Sequence, residues 1–136
     1  MAAWLIAASA LVVGVLGGVH LLYTFSGSRL HPRDESLIAK MQAVSPRLST
    51  ETTIWRAGVG FHASHSLGAL LFAAVFASLA FAPGAPLFGM PAVAFAGAAY
   101  LLAMLVLARR FWFRIPFRGL MAANVLYFGG LATAWA

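Results

Sequence analysis

Two histidines and two serines lie in a segment, residues 58 to 68, that is otherwise apolar enough to cross a lipid bilayer. His62, His65 and Ser66 are three and four positions apart, so they share one face of a helix. A further histidine, His20, lies near the end of the first apolar run. Imidazole is the commonest side-chain metal ligand and can exchange a proton near neutral pH. These residues are therefore the first candidates for chemistry.

The composition restricts both the class of protein and the chemistry available to it. The chain has 136 residues, of which 62% are hydrophobic and 9% charged, and its mean hydropathy is +0.91. A soluble domain of this length could not bury that much apolar surface, so lipid is the expected solvent. Because cysteine is absent, disulfides, thiolate metal sites and cysteine nucleophiles are excluded.

The apolar runs predict an all-α fold, a four-transmembrane-helix bundle that forms a single integral membrane domain over residues 1–136. Each run is long enough to span a hydrocarbon core of about 30 Å. A cleaved signal peptide is the competing interpretation of the first run, and the absence of Lys or Arg ahead of that run argues against cleavage. The predicted spans are residues 2–25, 54–82, 87–108 and 116–135.

The polar segment between the first two spans, residues 26–53, is predicted to contain a short helix at the membrane surface. Asp34 is expected to cap this helix and Pro46 to end it. Ser49 or Thr50 is expected to cap the second span. His31, in the same segment, is interpreted as a solvated turn residue. The apolar face of the short helix would carry Leu37, Ile38, Met41 and Val44.

The positive charges predict the orientation of the bundle. The net charge is +6, and all nine Lys and Arg fall in residues 29–56 and 109–118, which a four-span topology places on one side. By the positive-inside rule that side faces the cytoplasm of a bacterial inner membrane, so both termini are periplasmic. The expected partners of this basic face are anionic lipid headgroups. A nucleic-acid partner is not expected, because its binding face would need cations spread over a soluble surface.

This topology places the polar groups of the spans in one layer, about 8 to 16 Å from the cytoplasmic ends of the helices. Because an unpartnered polar group in hydrocarbon costs several kcal/mol, we expect these side chains to face inward. Tyr23 and Tyr127 are expected to border the layer. The predicted binding site consists of His20, His62, His65, Ser66, Tyr100 and Asn124.

Three interpretations of this layer remain open. The polar groups could only fix helix register, at about 0.6 kcal/mol for each hydrogen bond. Alternatively, His20, His62 and His65 could hold a metal, although no carboxylate lies at that depth to complete or orient such a site. Facing histidines also suit a haem or a quinone. No catalytic residue is assigned, since no acid in any span could orient a histidine base, and the sequence requires no cofactor.

Residues 55–68, together with residues 109–113 and 116–119, resemble a family of small four-helix bacterial membrane proteins known only by a locus-tag name. The resemblance extends over nearly the whole chain and implies an integral membrane protein of uncharacterised activity. In that family the position of His62 is often Asn, whereas the run Ser64-His65-Ser66-Leu67-Gly68 fits the family pattern. The resemblance therefore favours His65 over His62 as a functional histidine.

The sequence as a whole predicts a small inner-membrane protein that acts as a non-catalytic binding or accessory protein. The alternative function is that of a redox or metal-binding membrane protein that uses its intramembrane histidines for a metal, haem or quinone site. Gly14 and Gly18 form a pair that allows close approach of another helix, which is compatible with a protein partner or a homo-oligomer.

Overall fold

The computed structural model describes residues 1–136 and confirms the predicted all-helical class, with 79% of the residues in helices and no strands. The chain contains six helices, four of them with at least 21 residues. The helices are α1 (Ala2–Phe25), α2 (Glu35–Ala43), α3 (Ile54–Phe81), α4 (Pro86–Gly89), α5 (Pro91–Phe111) and α6 (Arg114–Trp135).

Three of these helices, α1, α3 and α5, are long and apolar enough to cross a membrane. Helix α6 has 22 residues, but its first turns carry Arg114 and Arg118 and its middle carries Asn124. These polar side chains make α6 less apolar than the other three. Insertion of α6 as a fourth span stays a prediction.

The apolar pattern predicts one continuous helix after the turn that follows α3, but the structure has two helices there. A single helix was expected from about Leu87, whereas α4 ends at Gly89 and α5 begins at Pro91. Met90 lies between the two helices with φ −120° and ψ 74°. Contact with the proline ring disfavours the helical region for the residue before a proline, which favours the interruption at Met90.

The predicted short helix and its cap are confirmed, although its contact with a membrane stays a prediction. Asp34 precedes α2 in an extended conformation, and its Oδ1 accepts a hydrogen bond of 2.9 Å from the Ser36 amide. Together with the side chain of Ser36, this amide holds the pKa of the Asp34 carboxyl below its ordinary value. A charged acceptor here also interacts favourably with the amino end of the helix.

The cap of α3 differs from the prediction. Thr53, not Ser49 or Thr50, caps the helix, because its Oγ1 accepts a hydrogen bond of 3.2 Å from the Arg56 amide. The Ser49 hydroxyl instead accepts from the Glu51 amide and stabilises the preceding turn. Threonine directly before the first helical residue satisfies an amide that the helix itself leaves unpaired.

The chain divides into two compact units. We call residues 17–68 the histidine unit, because it contains all four histidines. Residues 1–16 and 69–136 form the aromatic unit. The candidate site lies in the histidine unit.

Close contact between helices and rings builds the aromatic unit. The ring centroids of Phe72 and Phe76 are 4.4 Å apart, and the Phe76 ring meets the Tyr127 ring at 5.7 Å. Gly97 lies against this cluster, where an added Cβ would collide with Phe76 and with the Tyr127 hydroxyl. The Ser9 hydroxyl donates a hydrogen bond of 2.7 Å to the Ala123 carbonyl. Small residues thus let the helices of this unit approach, as is common in membrane bundles.

Candidate functional site in the histidine unit

The centre of the candidate site is a hydrogen-bonded pair of histidines on two helices. His20 lies near the end of α1 and His62 near the beginning of α3, and His20 Nε2 lies 3.1 Å from His62 Nδ1. Their ring centroids are 5.1 Å apart. One ring nitrogen must donate and the other accept, so the tautomers of the two rings are linked. The structure thus brings together two of the six residues of the predicted site.

His65 extends the pair to a cluster of three rings. Its ring meets the His20 ring edge-on at a centroid distance of 5.5 Å. On its other side, His65 lies nearly parallel to the exposed Phe61 ring, with centroids 6.5 Å apart. Each histidine of the cluster is partly buried.

Ser66 is fully buried, but its hydroxyl serves the backbone of its own helix. Its Oγ donates a hydrogen bond of 2.9 Å to the His62 carbonyl, one turn earlier. This bond between a serine and the carbonyl four residues before it is the usual way in which a mid-helix serine is satisfied. Ser66 therefore supports the backbone of His62.

Tyr100 and Asn124, the other two predicted site residues, belong to the aromatic unit and have their partners there. The Tyr100 ring stacks on Phe72 with centroids 4.8 Å apart. Asn124 Nδ2 donates to the carbonyls of Leu101 and Leu120 at 3.1 and 2.8 Å. The Asn124 Oδ1 is buried and has no hydrogen-bond partner.

Tyr100 and Asn124 thus hold helices α5 and α6 against their neighbours. The two residues expected to border the site are likewise distributed between the units. Tyr127 donates to the Ala94 carbonyl at 2.9 Å, whereas the Tyr23 ring receives the Arg29 guanidinium at 4.5 Å. A single layer that joins all six predicted residues stays a prediction.

A cavity of about 320 Å³ adjoins the histidine pair. His62 forms part of its wall, and so does Thr24, whose hydroxyl donates a hydrogen bond of 2.8 Å to the His20 carbonyl. Other parts of the cavity wall come from the loop after α1, from α2 and from the first turns of α3. The lining residues are Thr24, Leu30, His31, Pro32, Met41, Trp55, Gly58, Val59 and His62.

Of the nine lining residues, the predicted site included only His62, and His31 and Trp55 are the two ring-bearing residues that it left out. The His31 ring meets the Trp55 ring edge-on, with centroids 4.9 Å apart, and both side chains line the cavity. His31 is exposed, as expected of a turn residue, but it also has this second role. Only the fold brings these two residues together, because no helical period connects a loop histidine with the start of α3.

The histidine cluster does not have the geometry of a multidentate metal centre. No group of three or more His, Asp or Glu side chains in the chain is arranged so that it could hold a metal ion. The facing nitrogens of His20 and His62 instead satisfy each other. The arrangement can position His62 and supply one hydrogen-bonding ring nitrogen to a ligand.

Comparison of the chain with protein-family models, with curated proteins and with solved structures gives no match. The family resemblance of residues 55–68 stays a prediction.

Proposed function

We propose that the chain is a multi-pass protein of the bacterial inner membrane with four spans, α1, α3, α5 and α6. In this topology both termini are periplasmic, and α2 lies on the cytoplasmic membrane surface. The placement of every Lys and Arg in residues 29–56 and 109–118 supports it. Those residues would contact anionic headgroups.

We further propose that the protein binds a small molecule in the cavity of the histidine unit and performs no chemistry on it. The observation that carries this proposal is the cavity itself, in which apolar walls surround the polar groups of Thr24, His31 and His62. A concave apolar pocket with a few convergent polar groups is the usual form of a ligand site. Its volume of about 320 Å³ lies near the lower end of such sites, at roughly 300 Å³.

A binding role fits the lining better than a catalytic one. None of the lining residues is Asp or Glu, so no carboxylate is present to orient a histidine as a general base. His62 is oriented by its hydrogen bond with His20. Such a pair holds the His62 ring in place, so that its remaining nitrogen can form a hydrogen bond with a ligand. An accessory role toward a protein partner or a second copy is compatible with the same site.

Two glycine substitutions in α3 provide a matched test. Gly58 lines the cavity, and an added Cβ there meets no atom within 4 Å, so Gly58→Leu would fill the cavity without a clash at Cβ. Gly60 has the same open surroundings but does not line the cavity, so Gly60→Leu is the control. We expect native mass spectrometry from mild detergent to show a small co-purifying molecule on wild type and on Gly60→Leu only.

The proposal fails if Gly58→Leu retains the same bound molecules as wild type. It also fails if wild type carries no adduct and binds no member of a panel of neutral and charged amphipathic compounds. Thermal unfolding of both leucine variants would show that the comparison is made between folded proteins.

The alternative function, a redox or metal-binding role, is favoured by one observation, the convergence of the rings of His20, His62 and His65. An absorption spectrum and a metal analysis of the purified protein test it. A Soret band or a stoichiometric metal that is lost in His65→Ala would support the alternative. The binding proposal predicts a protein with no Soret band and no stoichiometric metal.

A further inference from the structure

We infer that the ligand of this cavity is a neutral ring that carries carbonyl or hydroxyl oxygens, a compound of the quinone and quinol class. The inference rests on the proposed binding function and names the ligand of the same site. Four features of the histidine unit lead to it: the charge of the lining, its shape, its hydrogen-bonding groups and its position at the helix ends.

The lining contains no fixed charge. None of its nine residues is Lys, Arg, Asp or Glu. A phosphate, carboxylate or ammonium group buried there would lose hydration without gaining a counter-ion, which is strongly unfavourable. The charge of the lining therefore selects an uncharged ligand.

The walls of the cavity suit a flat ring. Trp55 supplies an aromatic surface, braced by the edge of the His31 ring at 4.9 Å. Met41, from α2, supplies a polarisable thioether, a group that makes favourable contacts with aromatic rings. Gly58 contributes no side chain, which leaves space beside the α3 backbone. Aromatic and thioether side chains in the lining favour an aromatic ring over a branched aliphatic ligand.

The polar contact to the ligand comes from His62. Its Nδ1 is occupied by His20 Nε2 at 3.1 Å, so Nε2 is the ring nitrogen left for a ligand. When His20 donates across the pair, His62 carries its own proton on Nε2 and acts there as a donor. When His62 donates across the pair, its Nε2 becomes an acceptor.

The linked tautomers match a ligand that has two hydrogen-bonding forms. A quinone carbonyl needs a donor, whereas the hydroxyl of the corresponding quinol offers its own proton and needs an acceptor. The His20–His62 pair can meet either requirement through a change of tautomer. His62 Nε2 then loses a proton, the shared proton moves from His20 Nε2 to His62 Nδ1, and His20 Nδ1 takes one up, so the net charge is unchanged. A single histidine held by a fixed donor would present only an N–H at its other nitrogen, which can bond to the oxygen of either form but leaves the quinol O–H without an acceptor.

The position of the cavity suits a ligand that partitions into lipid. Thr24 lies in the last turn of α1, and Trp55 lies in the first turn of α3. Both helices are long and apolar enough to cross a membrane. A lipid-soluble ring could therefore enter where the apolar parts of the two helices end.

The test compares two compounds with the same carbon skeleton, 2-methyl-1,4-naphthoquinone and 2-methylnaphthalene, by calorimetric titration of the full chain in mild detergent. We expect one quinone to bind per chain, at least tenfold more tightly than the hydrocarbon. The corresponding quinol, titrated without oxygen, is expected to bind with an affinity within about threefold of the quinone. His62→Ala is expected to lower quinone affinity roughly tenfold, the effect of one buried hydrogen bond.

Gly58→Leu should abolish binding, and Gly60→Leu should leave it unchanged. Because His62→Ala also affects the contact with His20, the two leucine variants keep the test independent of that contact. Ser64→Ala, an exposed serine on the same helix that does not line the cavity, is the polar control.

Different failures have different meanings. Equal affinity for quinone and hydrocarbon in a cavity that Gly58→Leu closes would overturn the ligand class and leave the binding function standing. A quinone preference that persists in His62→Ala would overturn the role of the histidine pair. Absence of any binding that depends on Gly58, for both compounds and for co-purifying molecules, would overturn the inference and the proposed function together.

Discussion

The contact between His20 and His62 connects two helices through a single hydrogen bond between partly buried rings. Removing one ring leaves the facing nitrogen of the other unpaired, which costs about 1 to 3 kcal/mol when the group is buried. Removing both rings takes away the bond and the unpaired group together. The pair is therefore suited to a double-mutant cycle.

We expect His20→Leu and His62→Leu each to destabilise the protein, and the double variant to be more stable than the sum of the two effects indicates. Interhelical hydrogen bonds in membrane bundles average about 0.6 kcal/mol and reach about 1.7 kcal/mol, so the coupling should fall in this range. Unfolding in mixed micelles measures it. His62→Leu combined with Ser64→Ala should be additive, and additivity in the histidine cycle would contradict the contact.

Gly97 gives a second prediction at the scale of the residue. A methyl group there would collide with Phe76 and the Tyr127 hydroxyl, so Gly97→Ala should lower the free energy of unfolding by about 1 to 3 kcal/mol. Gly60→Ala, in open surroundings, should be neutral or stabilising by up to about 1 kcal/mol. Thermal unfolding in detergent compares the two. Equal effects of the two substitutions would contradict the close approach of helices in the aromatic unit.

At the scale of the element, α2 depends on its amino-terminal cap. The hydrogen bond from Ser36 lowers the pKa of Asp34 relative to its ordinary value of 3.8. A lowered pKa means that the cap contributes fully above that ordinary value and is lost as the pH falls through the pKa of the folded state. The helix provides Met41 to the cavity, so its integrity affects the site.

We expect the Ser36 amide resonance to titrate with a midpoint below 3.8. Asp34→Asn should remove this titration but keep the helix, because asparagine is an equally good cap. Asp34→Ala should remove both, and amide exchange should become faster over Glu35–Ala43. Unchanged exchange in Asp34→Ala would show that other contacts, and not the cap, hold α2.

At the scale of the whole molecule, membrane topology is the main prediction. The absence of cysteine allows single cysteines to be introduced at exposed positions without background. With a maleimide that cannot cross the inner membrane, Pro83→Cys and Ala136→Cys should react from the periplasm. Thr50→Cys should react only after the membrane is opened.

Each alternative topology gives a distinct labelling pattern. If Pro83→Cys reacts and Ala136→Cys is protected, α6 does not span the membrane, and the bundle has three spans. If Thr50→Cys reacts from the periplasm, the orientation is inverted. Substitution at these exposed positions should not disturb the core.

The sequence by itself determined the helical class, the apolar character of α1, α3 and α5, and the cap at Asp34. These properties depend on composition and on neighbours along the chain, which a linear pattern contains. The same local reasoning placed the break before α5 too early, because it gave Pro91 less weight than the apolar run. It also placed the cap of α3 before Thr53, since several hydroxyl residues precede that helix.

Only the tertiary structure decided how the polar residues are grouped. The sequence allowed His20, His62 and His65 to meet, but it did not indicate which ring nitrogens face each other. It grouped Tyr100 and Asn124 with the histidines in one layer, which stays a prediction. The ring contact of Tyr100 with Phe72 and the hydrogen bonds of Asn124 lie in the aromatic unit. A cavity exists only where separate segments enclose a volume, so the contribution of His31 could not be derived from local spacing. The order of apolar and polar residues along the chain determines which side chains can be buried. The packing of the helices determines which of those side chains are in contact.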